Sequence, residues 1–459
     1  MPVKSDSLLV GLSMGTTRTT MIVAKKDKRY PDSVQVVGFG SAPSRGMSKG
    51  VIVNVPNAAR TIKRAFEDAQ SITGIPAERL KNVIVAFNAM EVQSESSHGM
   101  VTLGDRESKA VETNDLDRVI ERAKDDLPSK NNMHAIHRIP MSYELDGVPV
   151  SDPLNMNGNR LDIWLQTVSI PMTYVQTVKN CVRTAGLEVS GLVLKPLASS
   201  LGSVYEEEMQ SGCVSICIGG GTTGIVLYRG GRAFRVISIP IGGDHIKSDL
   251  ATVLHMSLGE AEHLKKRIFS SSEDDLRREG IDVDLATRTI IARVEELFND
   301  YVREALAECT PQHFPSGIIL SGGVSETPGL NYVLEDILQM PVRSVIEPVY
   351  AMPPDLANPS YVSAAGILRY RIMTERDHYL FMSDSQLSPD TPEREETAER
   401  APKKGRPRPR QEDDEYYGNT QAEPEEDEDE EYDYDEDETP RENFGDFMRR
   451  MTDRFKKLF

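Results

Sequence analysis

The feature that most limits how this chain can fold is an internal repetition. Two stretches share one order: strand, turn rich in Gly and Thr, two further strands, helix and buried strand. In the first copy these elements are expected at 8–13, 15–17, 19–24, 34–41, 57–73 and 82–87. In the second they are expected at 214–218, 219–223, 225–228, 233–239, 242–255 and 317–320. The apolar patterns and turns therefore predict an α/β fold of two duplicated domains flanking a cleft.

Two segments interrupt the copies, and each is a plausible subdomain. Residues 90–166 are typical of a strand, a helix (114–126) and two more strands (134–141 and 162–170), a small α+β unit. Residues 244–314 are mostly helical. A capping box that satisfies the first free amides of a helix is predicted at Ser257 and Glu260. A longer helix that follows has one apolar face, made by Ile290, Val294, Leu297 and Tyr301.

The net charge of −19 is concentrated in one segment. Residues 412–438 hold 17 acidic residues and no Lys or Arg, so the remainder of the 459 residues is close to neutral. Such a chain has no broad basic surface for DNA or RNA, and its acidic run repels phosphates. The four cysteines lack paired spacing, which favours reduced thiols over disulfides or zinc. No signal peptide or long apolar span is present, so we expect a cytoplasmic protein.

Composition changes near residue 383. Residues 383–440 are rich in Pro, Glu, Asp, Arg and Ser and nearly lack aliphatic side chains, so they cannot bury enough apolar surface to offset the entropy of ordering. We expect a disordered acidic linker there. A basic cluster within it is expected to be either part of a solvated polyampholyte or a partner-binding motif. The cluster consists of Lys403, Lys404, Arg406, Arg408 and Arg410.

The last segment, 441–459, has the pattern of a basic amphipathic helix. Its apolar stripe consists of Phe444, Phe447, Met448, Met451, Phe455 and Leu458. Its flanks carry Arg449, Arg450, Arg454, Lys456 and Lys457. Three surfaces can cover this apolar stripe: the protein's own core, the groove of a partner, or an anionic membrane interface. The flexible tether and the basic flanks favour the membrane.

The repeated turns are the strongest candidates for a binding site. Glycine lets backbone amides converge on an anion, and Thr hydroxyls add donors, so two facing turns can clamp the phosphates of a nucleotide. A single Gly-Thr turn is usually structural, but its duplication at equivalent positions favours phosphate binding. A strand followed by a double glycine offers either adenosine contacts or an ordinary loop. The candidate residues are Gly15, Thr16, Thr17, Gly219, Gly220, Gly221, Thr222, Gly322 and Gly323.

These motifs resemble those of the actin-like ATPase superfamily, and specifically of the bacterial cell-division FtsA family. Residues 10–17 (VGLSMGTT) and 217–222 (CIGGGT) are similar to its two phosphate motifs, and residues 319–323 (ILSGG) to its adenosine motif. Residues 44–50 (SRGMSKG) are similar to a stretch typical of FtsA. The resemblance covers nearly all of residues 8–382 and implies duplicated actin-like, ribonuclease-H-like domains.

The resemblance also implies a division of the chain into subdomains. Subdomain IA is expected at 1–89, 167–211 and 351–382, and IC at 90–166. Subdomain IIA is expected at 212–243 and 315–350, and IIB at 244–314. The disordered acidic linker (383–440) and the amphipathic membrane-targeting helix (441–459) follow.

Partners and further site residues are implied in the same way. The resemblance implies ATP as the ligand, with Glu262 and Lys265 near the nucleoside, although a solvated pair at i and i+3 explains them equally well. It implies that Arg293 contacts the C-terminal tail of the tubulin-like protein FtsZ; a solvated helix arginine is the alternative. It also implies polymerisation through subdomain IC, other division proteins as partners, and a location at the septum, on the cytoplasmic face of the inner membrane.

The sequence departs from the superfamily where hydrolysis is concerned. Active members carry an Asp at the strand end of each phosphate motif, where it holds the water shell of Mg²⁺. Here those positions are Ser13 and Cys217, and an acid common after the second motif is replaced by Gly224. We therefore expect ATP binding with little or no hydrolysis and a poor Mg²⁺ site. An active ATPase and a pilus-assembly actin homologue of the PilM type are the alternatives.

Overall fold

The computed structural model describes residues 8–26, 33–104, 108–127, 132–307, 309, 311–350 and 352–383. Apart from Ser383, the expected acidic linker and the C-terminal helix, including its apolar stripe and basic flanks, lie outside these ranges. Ser383 itself is buried. Within the described ranges, no helix is both long enough and apolar enough to span a bilayer.

Strands and helices are interspersed along the described residues. The strands are β1 (Leu8–Met14), β2 (Arg18–Lys26), β3 (Val34–Pro43), β4 (Met47–Ser48), β5 (Val51–Ile52), β6 (Asn82–Phe87), β7 (Gln93–Thr102), β8 (Lys109–Ala110), β9 (Met133–Leu145), β10 (Val148–Val150), β11 (Asn157–Gly158), β12 (Arg160–Pro171), β13 (Glu188–Leu194), β14 (Cys213–Ile218), β15 (Thr223–Arg229), β16 (Arg232–Ile239), β17 (Ile318–Ser321) and β18 (Val342–Ser344). The α-helices are α1 (Val55–Thr73), α2 (Ala77–Leu80), α3 (Thr113–Asp125), α4 (Met172–Thr184), α5 (Lys195–Leu201), α6 (Glu206–Ser211), α7 (Gly243–Val253), α8 (Leu258–Arg267), α9 (Glu273–Arg278), α10 (Val283–Glu296), α11 (Arg303–Leu306), α12 (Leu330–Leu338) and α13 (Val362–Arg376). A π-helical turn (Leu297–Val302) joins α10 to α11, and short 3₁₀ turns occur at Pro311–His313, Gly323–Glu326, Pro354–Leu356 and Pro359–Tyr361.

Two five-stranded sheets have the same topology. Their strand orders are β3-β2-β1-β6-β13 and β16-β15-β14-β17-β18. In each sheet the first three strands pair antiparallel, and the remaining pairs are parallel. This equivalence confirms the duplicated α/β fold. Because carboxyl ends of parallel strands meet at one edge of a sheet, the segments after β1, β6 and β13 lie together, as do those after β14 and β17.

Helix α5 contacts strands of both sheets; its residues 196–201 are buried, and Lys195 at its start is half-buried. It packs against α13 at two glycines, Gly202 and Gly366, where an added Cβ would collide with the backbone of the other helix. The two backbones approach this closely only because neither residue has a side chain. Helix α5 also contacts β14, β15 and β16, so it connects the first domain to the second.

The first insertion forms its own sheet, ordered β10-β9-β12-β7, with α3 packed against it. Strand β12 runs through the expected boundary at residue 166 and continues to Pro171. The end of the described chain returns to this sheet: the amide and carbonyl of Met382 pair with Arg138 of β9 at 3.0 and 2.7 Å. The Tyr379 hydroxyl also donates to Asp117 of α3 at 3.0 Å.

The second insertion is helical, as predicted, and the capping box at Ser257 and Glu260 is confirmed by reciprocal bonds of 2.8 and 3.2 Å. The predicted apolar face of the longer helix is right for its first three residues and wrong for Tyr301, which is 40% exposed. The π-helical turn changes the winding there, so that Val302 is buried instead. Helix α7 starts at Gly243, just before the expected start of the helical insertion at residue 244, and β12 crosses the expected boundary at residue 166. The subdomain boundaries therefore stay a prediction.

Candidate functional site

The first phosphate motif forms a tight turn between β1 and β2. The amide of Gly15 donates to the carbonyl of Arg18 at 3.0 Å, which closes the turn. The Thr16 hydroxyl accepts a 2.8 Å hydrogen bond from the amide of Gly50. Gly50 ends the 44–50 stretch and has a φ of +77°, which favours glycine. The structure thus places this stretch, singled out only as a family marker, directly on the first turn.

The second phosphate motif turns at the carboxyl end of β14. Gly219 donates to the carbonyl of Thr222 at 2.8 Å, and the first amides of α7 bond to this turn. Gly243 donates to Gly219 at 2.9 Å, and Asp244 donates to Gly220 at 2.7 Å. The start of α7 is therefore fixed to the glycines of the turn.

The two turns contact each other directly. A Cβ at Gly221 would lie 2.5 Å from the Thr16 hydroxyl oxygen, and one at Gly220 would collide with the Thr17 hydroxyl. Only glycine lets the hydroxyls approach the opposite backbone this closely. The structure therefore brings Gly15, Thr16 and Thr17 together with Gly219–Thr222, and a phosphate group between them requires the turns to separate.

The third motif and the predicted charged pair lie beside the second turn. Gly322 has a φ of +91°, and an added Cβ would collide with the carbonyl of Ile218. Gly323 begins the following 3₁₀ turn. Lys265 donates to the carbonyl of Gly243 at 3.3 Å and to Glu262 at 2.7 Å. Gly322, Gly323, Glu262 and Lys265 therefore lie near the second turn but do not line the cavity that the two turns share.

Lys195 is a cleft residue that the sequence analysis missed. It directly follows β13, and its Nζ would lie 2.5 Å from a Cβ at Gly15. It lines one cavity with the glycines of both turns, Cys217, Asn88 and Ser199. The sequence does carry a signal for this residue: a lysine stands between an apolar strand and Pro196, at the strand end where α/β proteins bind ligands.

A buried histidine supports the strand that leads to Lys195. The amide of Leu194 donates to Nε2 of His137 at 3.1 Å, across from β13 to β9. Burial lowers the pKa of His137 to about 3, with a smaller contribution from His134. The ring is therefore neutral at pH 7, which leaves Nε2 free to accept this bond.

Carboxylates that suit Mg²⁺ are scarce around the turns. Ser13 is buried, with its hydroxyl 2.7 Å from that of Ser363. Asp244 lies beside Gly220 but pairs with Lys247 at 2.6 Å. The described part of the chain holds no group of three or more His, Cys, Asp and Glu side chains arranged for a metal ion. The glycines, hydroxyls and Lys195 suit a phosphate chain, whereas the set of ligands does not suit a hydrated Mg²⁺ ion.

The predicted partner residue Arg293 lies on α10, away from the turns. Its guanidinium makes two bonds to Asp249 of α7, at 2.6 and 3.0 Å, and one to Glu296 at 2.5 Å. Its side chain is 23% exposed. Arg293 is thus tied into the helical insertion and presents only part of its guanidinium to solvent.

Comparisons with known proteins agree with this architecture. A family model described as cell division protein FtsA matches residues 214–366, and one described as the SHS2 domain inserted in FtsA matches residues 90–169. FtsA of Pseudomonas aeruginosa is 31% identical over 407 residues, covering 85% of this chain and 95% of the relative. FtsA of Bacillus subtilis is 29% identical over 387 residues, covering 81% and 85%.

Among solved structures, the PilM-PilN type IV pilus biogenesis complex has a similar fold. The TM-score is 0.58 at 20% identity, and the match covers 81% of this chain and 99% of that chain. This likeness concerns the fold alone, whereas the similarity to the P. aeruginosa protein extends over nearly its full length. The duplicated sheets, the inserted domain and this relative together show that the chain belongs to the FtsA family of cell-division proteins, with an actin-like fold.

Proposed function

We propose that this cell-division protein is an adaptor that self-associates on the cytoplasmic membrane and attaches FtsZ filaments to it, binding ATP with little or no hydrolysis. The observation that carries the nucleotide part is the site's composition. Glycine turns, hydroxyls and Lys195 can surround phosphates, while Ser13 and Cys217 stand where an active member of the superfamily has carboxylates. This composition supports binding without hydrolysis, because the carboxylates of active members hold the water shell of Mg²⁺ and activate the attacking water.

Membrane attachment is assigned to the C-terminal stripe. Six apolar side chains contribute at most about 1.5–3 kcal/mol each, and less at an interface, against the cost of ordering a helix. Basic residues add about 1 kcal/mol each near an anionic leaflet. One anchor therefore binds marginally and reversibly. Linking several anchors through self-association raises avidity by about 10²–10⁴.

The remaining contacts are assigned to the two insertions. The inserted sheet domain (90–166) provides the contact between copies in a polymer, and the helical insertion (244–314) receives the C-terminal tail of FtsZ, with Arg293 as a contact. Other division proteins join this assembly. These assignments place the protein at the septum, on the cytoplasmic face of the inner membrane.

A co-sedimentation experiment with anionic vesicles, FtsZ and an ATP analogue tests the adaptor role. Wild type is expected to carry FtsZ into the vesicle pellet, and to do so less well as salt screens the basic flanks. The double variant Phe447→Glu, Phe455→Glu should stay in the supernatant, because it loses two apolar rings and adds negative charge at an anionic surface. Lys179→Ala, on the exposed surface of α4 and outside both insertions, serves as a control. Pelleting of the double variant with vesicles would contradict the anchor, and an FtsZ-free wild-type pellet would contradict the adaptor.

A further inference from the structure

The Lys195 ammonium group is positioned at the meeting point of the two phosphate turns. Its Nζ faces the backbone of Gly15, where any side chain would collide with it. The same cavity is lined by Thr16, Gly221 and Cys217, so the lysine lies among backbone amides and neutral side chains. Every other feature at this point favours an anion, and the lysine adds a full positive charge.

Within the described ranges, Lys195 makes no hydrogen bond or ion pair with a protein side chain or carbonyl. Burial lowers the pKa of its ammonium group below the usual value of 10.5, and the nearby Cys217 thiol opposes this only in part. Holding a cation in such surroundings is costly unless a negative group compensates it. None of the residues that line the cavity is acidic, so the fitting partner is an anionic ligand.

A divalent cation is the usual means of neutralising a nucleotide triphosphate, but this cavity is poorly suited to one. No carboxylate is among its lining residues. Asp244, which lies beside Gly220, is already paired with Lys247. An ammonium group and a hydrated Mg²⁺ would also repel each other at close range. Lys195 and Mg²⁺ are therefore alternatives in this space.

We propose that Lys195 takes the place of the metal ion, so that the chain holds the phosphate chain of ATP without Mg²⁺. This inference rests on the proposed nucleotide binding and names how that binding is achieved. A charge-assisted contact to a phosphate oxygen replaces the missing ion, and glycine amides and Thr hydroxyls supply the other donors. The consequence is an affinity for ATP that does not depend on divalent cations.

The experiment measures binding of a fluorescent ATP analogue to the full chain, in excess EDTA and in millimolar Mg²⁺. Wild type should bind the analogue in EDTA with an affinity within about threefold of its affinity in Mg²⁺. Lys195→Met should weaken binding in EDTA by about tenfold or more, since one charge-assisted contact is lost. Lys179→Met, an exposed lysine on α4, is the matched control and should bind as wild type does.

The outcomes separate this inference from the proposed function. Failure of wild type to bind under either condition would overturn nucleotide binding itself, and this inference with it. Binding that requires Mg²⁺ would overturn the role of Lys195 and leave nucleotide binding intact. An affinity in EDTA that is the same for Lys195→Met and wild type would have the same meaning. Displacement of the analogue by tripolyphosphate would support a contact to the phosphate chain, and no displacement would overturn it.

A melting experiment guards against simple misfolding of the variant. Without ligand, Lys195→Met should melt at the same or a higher temperature than wild type, because an uncompensated cation is replaced by an apolar side chain of similar length. ATP in EDTA should raise the melting temperature of wild type and not that of the variant. A variant that melts well below wild type without ligand would overturn the inference, because Lys195 would then have a structural role.

Discussion

The hydroxyl oxygens of Ser13 and Ser363 lie 2.7 Å apart in a buried contact that ties the end of β1 to α13. Ser13 therefore uses its polar group within the core, at the position where active members of the superfamily carry an acid. A carboxylate placed there would lose its hydration and gain one hydroxyl donor. The contact therefore couples the end of β1 to the packing of α13.

We expect wild type to release phosphate from ATP at the background rate, because neither Ser13 nor Cys217 can act as a carboxylate. Ser13→Asp alone should not restore turnover, and it should lower the free energy of unfolding by about 1–3 kcal/mol through a poorly compensated buried charge. A phosphate-release assay and denaturant unfolding measure the two effects. Wild-type turnover equal to that of an active relative under the same conditions would contradict the expectation.

Gly221→Val should abolish binding of the ATP analogue. Its Cβ would lie 2.5 Å from the Thr16 hydroxyl oxygen and would also block the approach of a phosphate to the turn. Gly259→Ala is the control, because a Cβ there meets only Ser257, at 3.9 Å. Titration of the analogue measures both. Retained affinity in Gly221→Val would move the nucleotide away from these turns.

The affinity for ATP in EDTA should fall as the pH rises. Because burial depresses the pKa of Lys195 in the free protein, its ammonium is present below that depressed pKa and is lost as the pH climbs towards 10.5. A bound phosphate favours the ammonium, so binding takes up a proton in this window. Titrations in buffers of different ionisation enthalpy detect that uptake.

The groups that face Lys195 require a control in this experiment. The Cys217 thiol lines the same cavity as Lys195, and Asp244, which lies beside Gly220, pairs with Lys247. Cys217→Ser should therefore keep most of the pH dependence, and Lys195→Met should lose it. A pH dependence that disappears in Cys217→Ser would assign it to the thiol.

Arg293→Ala should weaken binding of an FtsZ tail peptide by about fivefold, as expected for one partly exposed charge contact. The variant also breaks the link to Asp249, which joins α10 to α7. Asp249→Asn separates the two effects: it should tighten tail binding if Arg293 contacts the tail, because the guanidinium loses its internal partner. Equal weakening by both variants would show that only the link between the helices matters. Peptide titration measures these affinities.

His137→Gln should make the free energy of unfolding less dependent on pH. The folded pKa of about 3 lies below the unfolded value of 6.5, so the neutral ring favours the fold above pH 6.5. That contribution is lost as the pH falls towards 3, by about 1.4 kcal/mol per pH unit. Glutamine can still accept from the Leu194 amide but does not titrate. Denaturant unfolding between pH 4 and 7 tests this, and parallel curves for the two proteins would contradict it.

Much of this architecture could be predicted because local patterns encode it. The Gly-Thr turns follow strands whose apolar residues are buried, and Ser257 and Glu260 specify a helix start within four residues. The missed features depend on distant segments. Lys195 reaches the cleft because β13 pairs with β6, and Ser13 meets a serine 350 residues away. The exposure of Tyr301 follows from a π-helical turn, which no apolar spacing indicates.

The pairing of Met382 with Arg138 has a mechanical consequence. The described residues end at Ser383, directly after two backbone hydrogen bonds to β9 and close to the bond from Tyr379 to α3. Tension applied to the chain beyond Ser383 is therefore borne first by the inserted sheet. The two hydrogen bonds and the buried side chains of Phe381 and Met382 act as a clamp, so that the end of α13 is not pulled directly until these contacts break.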